Sequence, residues 1–259
     1  MTVSSRKNPA VTAYRELSAD RKARVREGRF NIEGVRLCEE ALEAGLTLTA
    51  AFITESALNR YPKVCGLIRE HTEPVMITDE LGAYISDTKS PQGVFLTAEI
   101  PVNIPATDGE ECRLLLLDGV QDPGNVGTMI RTGEALGIDG IALSPECADI
   151  WSPKVVRSAM GSLFRLPVTV TPLTESISRL HSQGFSIYAA VLDEKAHGID
   201  KVTFPPKCAV IIGNEGNGVS REVINSADGN IYIPISSAES LNASVAAAIF
   251  CYEMRNRRK

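Results

Sequence analysis

The spacing of apolar and polar positions predicts two mixed stretches of different regularity along the 259 residues. Residues 11–29 are polar and basic with helical spacing, and Asn31 to Gly34 interrupts them. A helical stripe then runs over 33–45, with Gly45 placed to stop it. The apolar run Leu48 to Ile53 predicts a strand, 55–71 a helix, and 74–77 and 93–97 further strands. Alternation of this kind predicts a small mixed α/β unit in the first hundred residues. Two prolines, a glycine and no periodic pattern over 100–111 predict a linker.

After the linker the pattern is more regular. Continuous apolar runs at 113–117, 138–143, 166–171, 186–192, 208–212 and 230–235 predict strands. Helices are predicted at about 125–136, 153–160, 174–183, from 220 onward, and over 241–255. Strands that are apolar throughout and separated by helices predict a parallel sheet covered on both faces. Such sheets hold ligands at the carboxyl ends of their strands. The expected domains are 1–106 and 107–259.

Composition narrows the function classes. A net charge of −5 argues against a general nucleic-acid binder. The charge is uneven, however: Met1 to Arg36 holds nine Lys and Arg against four Asp and Glu, and Arg255 to Lys259 holds four cations in five residues. Solvated ends are the plain reading of such runs. None of the six cysteines has a partner at the two-residue spacing of a metal or redox site, and the three histidines are scattered, so no metal is expected. No apolar run reaches the roughly 18 residues of a membrane span, and the first ten residues carry no apolar signal core. A cytoplasmic protein with reduced, buried thiols is expected.

Three loops carry candidate chemistry. The first, 117–132, leaves a strand and enters a helix, with Asn125 near the helix start and Arg131 six residues on. It reads either as a capped helix with a solvated arginine or as a functional pair. The second, 210–220, places three glycines within six residues around Glu215, so its backbone can approach a ligand closely. A dinucleotide fingerprint would open a βαβ unit and would not enclose a carboxylate that repels pyrophosphate; a tight turn is the other plain reading. The third, 231–249, runs from a strand through Ser240, Asn242 and Ser244 into a helix of small residues. It reads as a capped buried helix or as a ligand loop with uncharged hydrogen-bonding groups.

Together Asn125 and Arg131, then 213–218, then 233–246 resemble the three signature motifs of the SpoU (TrmH) branch of the SPOUT methyltransferases, in the right order, over about residues 112–257. The resemblance implies a parallel-sheet SPOUT domain whose chain closes a deep trefoil knot, a feature that general topology rules would not have suggested. It implies S-adenosylmethionine as methyl donor, held largely by main-chain groups around Leu192, Gly213, Asn214, Gly216, Gly218, Ile233, Ile235 and Leu241. The acceptor it implies is a ribose 2′-hydroxyl in RNA. The family's proposed base is Arg131, but a guanidinium stays protonated, so Arg131 is read here as orienting the RNA phosphate and ribose electrostatically. Asn125, Glu215, Ser240 and Asn242 would hold that arrangement, in a homodimer whose last helix is covered by the twin subunit.

The basic N-terminal unit resembles the ribosomal-protein-like RNA-binding domain of ribosomal-RNA members, although 90–94 lacks the histidine that many of them carry before the glutamine. Lys22, Arg24, Arg26 and Arg29, with the tail 255–259, are the candidate grips on RNA. Alternatives are a transfer-RNA 2′-O-methyltransferase, a non-catalytic ribosome-assembly protein, and a nucleotide-dependent oxidoreductase.

Overall fold

A computed structural model describes residues 2–193, 196–237 and 240–256. The chain forms two compact units. The first comprises Met1–Val102 together with Asp149–Arg165; the second comprises Asn103–Ala148 and Leu166–Lys259.

The first unit contains α1 (Pro9–Ala19), α2 (Arg21–Glu27), β1 (Arg29–Glu33), α3 (Val35–Glu43), β2 (Leu48–Thr54), α4 (Glu55–Arg60), α5 (Pro62–His71), β3 (Val75–Ile77), α6 (Asp79–Ile85) and β4 (Val94–Glu99). Its sheet order is β1-β4-β2-β3. β4 pairs antiparallel with both β1 and β2, whereas β2 and β3 run parallel. Where the sequence reads as a break at 31–34 there is a strand, β1. Its residues Phe30 and Ile32 are fully buried, and Asn31 is satisfied by the Tyr14 carbonyl, Ser18 and Thr97. The predicted helix over 55–71 is two helices, because Pro62 cannot donate to the turn before it and starts α5 instead. Tyr14, Phe52 and Phe95 meet edge to face at 5.5 and 5.8 Å in the core.

Into this unit the segment 149–165 brings α8 (Pro153–Ala159) and α9 (Ser162–Arg165). Ion pairs hold it, among them Arg24 to Asp149 at 2.6 Å, Arg157 to Asp87 at 2.7 Å, and Arg165 to Glu40. α8 also lies against β1.

The second unit is a seven-stranded sheet of order β7-β6-β5-β10-β8-β11-β9. Its strands are β5 (Cys112–Asp118), β6 (Gly140–Leu143), β7 (Val168–Val170), β8 (Ser186–Ala190), the short β9 (His197–Gly198), β10 (Lys207–Gly213) and β11 (Gly229–Tyr232). Every pairing is parallel. The leucine run Leu114–Leu117 of β5 and the run Cys208–Ile212 of β10 lie at its centre, as expected of strands covered on both faces. Helices α7 (Pro123–Ala135) and α12 (Ala243–Asn256) pack on each other, and α12 also on β10 and β5. α10 (Leu173–Ser182) and α11 (Arg221–Asn225) enclose a core of Leu114, Leu116, Ile177, Leu180, Ile187, Ile211 and Val223. All six cysteines are buried and free, and no helix among the described residues is long and apolar enough to cross a membrane.

Candidate active site

The central strands β5 and β10 are neighbours, but the chain leaves them in opposite directions. From β5 it passes through α7 to β6; from β10 it passes through α11 to β11, two strands away on the other side. The carboxyl ends of β5 and β10 therefore form a switch point, where a crevice opens between diverging connections.

Local sequence explains how each loop is shaped there. After β5, Gly119 takes a positive φ of 66° and its carbonyl accepts from Asn214 Nδ2 at 2.8 Å. The Asp118 carboxylate accepts from the Ser220 N–H at 2.7 Å. After β10, Asn214 and Gly218 exchange main-chain hydrogen bonds at 3.0 and 2.9 Å, closing a tight loop. Asn214 Oδ1 accepts from the N–H groups of Gly216 and Asn217 at 2.9 and 3.0 Å. Gly213 is dictated by space: a Cβ there would sit 2.1 Å from the carbonyl carbon of Gly218.

The three predicted loops meet through side chains. α7 begins at Pro123, two residues earlier than its pattern suggests, because Asp122 caps it by accepting from the Asn125 N–H at 2.9 Å. Asn125 Nδ2 donates to Glu215 Oε1 at 2.8 Å, and Asn125 Oδ1 accepts from Asn242 Nδ2 at 3.1 Å. Asn242 Oδ1 in turn accepts from Ser244 N at 2.9 Å, Ser244 Oγ at 2.6 Å and Val245 N at 3.3 Å, capping α12. The order of donors fixes the Asn125 amide, with its NH2 on the carboxylate. Glu215 Oε2 has no partner among the described residues and can accept from a hydroxyl or a cation.

The remaining predicted residues divide. Arg131 projects from α7 into solvent with no hydrogen-bond or ion-pair partner among the described residues, and Ser240 is likewise exposed. Leu192 is 67% exposed. Gly216 and Gly218 lie on the exposed turn, and Ile233, Ile235 and Leu241 are half-buried on the loop between β11 and α12. Ala238 and Glu239 of that loop lie outside the described residues. The Asn214 side chain shapes the loop, with Oδ1 accepting two loop N–H groups and Nδ2 donating once to Gly119. Asp118, Asp122 and Gly119 were missed as site-shaping residues; the Asp122-Pro123 pair, a cap followed by an N1 proline, was the available signal.

An organic cofactor fits this arrangement. Main-chain groups of Ile235 to Ser237 and of Ser240 and Leu241 make no hydrogen bond among the described residues, and half-buried aliphatic side chains flank them. Free main-chain donors and acceptors set among apolar side chains are what a largely apolar, planar heterocycle requires. Among the described residues no cluster of His, Cys, Asp or Glu could hold a metal.

The predicted RNA grips lie in the first unit and also divide. Lys22 and Arg29 are exposed and unpartnered among the described residues. Arg26 is exposed but engaged by Glu16 at 2.9 Å and Glu27 at 3.0 Å. Arg24 is a correction. Only 5% exposed, it donates to the carbonyls of Leu17 and Ser18 and clamps Asp149, so it braces the fold and does not face a ligand. Of the basic tail, Arg257 to Lys259 lie outside the described residues.

Fold and site define a parallel α/β domain that takes a small organic ligand at its switch point beside a fixed amide–carboxylate pair. Comparison with known proteins specifies the class further: the chain belongs to the SpoU rRNA Methylase family, whose model matches residues 113–252. An MRM3-like substrate binding domain matches residues 8–96. Among its relatives, the 23S rRNA (guanosine(2553)-2′-O)-methyltransferase RlmP of Bacillus subtilis is 33% identical over 98% of both chains. The 23S rRNA (uridine(2479)-2′-O)-methyltransferase of Streptomyces viridochromogenes is 30% identical over 97% of this chain and 91% of its own. An AdoMet-bound rRNA methyltransferase from Sinorhizobium meliloti superposes with a TM-score of 0.87 at 27% identity, over 98% of this chain and 97% of that one.

Proposed function

We propose that this protein transfers a methyl group from S-adenosylmethionine to a ribose 2′-hydroxyl in ribosomal RNA. The carrying observation is the hydrogen-bonded line Asn242–Asn125–Glu215, which ties three separate loops into one polar wall at the sheet's switch point. When bound, S-adenosylmethionine supplies a methyl group already activated on a sulfonium, so the protein's task is alignment. The loop 233–241 offers main-chain groups and aliphatic contacts for the donor. Arg131, uncommitted on α7, offers a fixed positive charge to an RNA phosphate and the ribose beside it. Glu215, oriented by Asn125, presents its free oxygen to the acceptor side.

In this reading the first unit, Met1–Val102 with Asp149–Arg165, holds the RNA, and Lys22 and Arg29 supply cations. The protein works in the cytoplasm as a homodimer. Val245 and Tyr252, 47% and 56% exposed and two helical turns apart on α12, give an apolar stripe for a twin subunit. The return of the chain from β11 to the sheet centre through α12 supports a trefoil knot in the second unit.

The test is incubation with radiolabelled S-adenosylmethionine and total RNA from cells lacking the gene. Label in one ribosomal RNA is expected, with Arg131→Ala abolishing transfer while leaving cofactor binding intact. Near-wild-type turnover in that variant refutes the role given to Arg131. No label in any RNA, with cofactor bound, refutes the enzymatic reading in favour of a binding protein.

A further inference from the structure

The chain has one tryptophan, Trp151, and it lies on the segment that joins the first unit. One side of its ring rests on the fully buried Phe30, with centroids 4.5 Å apart and planes tilted by 46°. The residue as a whole is partly exposed. The loop under it is fixed from below. Asp149 Oδ1 accepts from the Trp151 N–H at 3.1 Å, while Asp149 Oδ2 accepts from Arg24 Nε at 2.8 Å and Nη2 at 2.6 Å. Arg24 is anchored in turn on the carbonyls of Leu17 and Ser18 in the last turn of α1. A large aromatic ring is thus held rigidly at the surface by a buried ion pair, an arrangement suited to presenting a π-face.

The surrounding charge points to the occupant. The element that carries Arg24 also carries Arg21 and Lys22, and Arg29 immediately precedes Phe30. All three are exposed without partners among the described residues. Exposed cations on the elements that carry Arg24 and Phe30, together with a partly exposed aromatic ring seated on those same two residues' contacts, match single-stranded nucleic acid, in which unpaired bases stack on aromatic side chains and phosphates meet Lys and Arg. We propose that Trp151 is a stacking platform for an unpaired base of the substrate RNA, with Arg21, Lys22 and Arg29 holding the adjoining phosphates. This rests on the RNA-methyltransferase reading and names how the first unit recognises its substrate.

Because the tryptophan is unique, its fluorescence reports directly on the site. The probe is a twelve-nucleotide oligoadenylate RNA, added to the full-length protein as a single strand or as a duplex with oligouridylate. The single strand should quench Trp151 saturably and the duplex should not. Trp151→Leu should weaken single-strand affinity by about 5- to 150-fold, Trp151→Phe by much less, with S-adenosylmethionine affinity and melting temperature of the Phe variant unchanged. Failure of the oligonucleotide to bind, or binding with unchanged emission and an unaffected Leu variant, overturns the proposal. Methyl transfer to ribosomal RNA, assayed in parallel, separates the two ideas. Transfer by wild type and an equally active Trp151→Leu sinks the platform alone, whereas no transfer by wild type sinks the underlying reading.

Discussion

Replacing Gly213 by alanine tests the loop geometry at its tightest point. The added Cβ would lie 2.1, 2.2 and 2.4 Å from the Gly218 carbon, the Val219 nitrogen and the Gly218 oxygen. Ordinary carbon contacts need about 3.5 Å or more, so either β10 or the turn 214–218 must move by over an ångström. β10 is held by ladders to β5 on one side and β8 on the other, so the turn gives way. Its fastenings are the two Asn214–Gly218 main-chain bonds, the Asn214 bond to Gly119, and the two N–H bonds to Asn214 Oδ1. Losing two or three of these at about 1 kcal/mol each costs about 2–3 kcal/mol. If cofactor binding must restore the turn, affinity falls by about 30- to 150-fold. Titration calorimetry with S-adenosylmethionine measures this. Gly66→Ala is the control: it sits in α5 with nothing within 4 Å of its added Cβ, and should slightly stabilise the protein without changing affinity. A Gly213→Ala protein that binds cofactor within threefold of wild type refutes the reasoning.

Three further outcomes are expected. Arg24→Leu strands the Asp149 carboxylate and should destabilise the protein by about 3–5 kcal/mol in urea unfolding, whereas Lys22→Ala should leave stability unchanged and weaken RNA binding; equal stability of the two variants would contradict the brace. Asn125→Asp removes the donor to Glu215 and faces one carboxylate with another, so turnover in the radiolabel assay should fall by about 100-fold with the fold intact by circular dichroism; an unimpaired variant would remove Asn125 from the site. Burial pushes the thiols of Cys112 to about 11 and of Cys208 and Cys251 to about 12. Unfolded thiols ionise near pH 8.5, so the unfolded chain loses protons first: stability from these groups is complete below that pH and drains away as pH rises through 11 to 12. Melting temperatures that stay level from pH 8 to 10.5, or rapid labelling of the native thiols at pH 8, would argue against this burial.

The second unit was legible in the sequence because its central strands carry continuous apolar runs, Leu114–Leu117 and Cys208–Ile212, and its helices are separated by recognisable stops; the two-residue β9 is too short to leave a pattern. The first unit was legible only in outline. β1 was hidden because Asn31 and Glu33 interrupt its apolar residues. Their polarity is satisfied by distant groups: Thr97 for Asn31, and Ser86, Asp87 and Thr88 for Glu33. Local pattern carries no trace of such partners. For the same reason the departure of 149–165 to the first unit could not be read: its ties are ion pairs to Arg24, Asp87 and Glu40, far away in the chain. At the site, the structure joins Asn125, Glu215 and Asn242 of the four residues expected to hold the arrangement, with Ser240 exposed beside them, and the loop-shaping bonds of Asn214 were not legible because their partners lie in the turn itself and at Gly119.

Charge counting failed in an instructive way over 22–29. Four cations were read as one patch, yet they have three fates: Arg24 is buried in an ion pair, Arg26 is neutralised at the surface, and Lys22 and Arg29 remain uncommitted. The distinction follows from position. Within the helix turn, Ala23 and Arg24 face inward, so an arginine there must find acceptors or pay for its desolvation. It finds Asp149, which also fastens the loop of Trp151. A residue that looks like a nucleic-acid contact thus acts one step removed, fixing the loop that carries the ring. Loss of Arg24 should therefore weaken RNA binding through a loosened Trp151 and a less stable unit, whereas loss of Lys22 or Arg29 acts on the phosphates alone and lowers the salt dependence of binding.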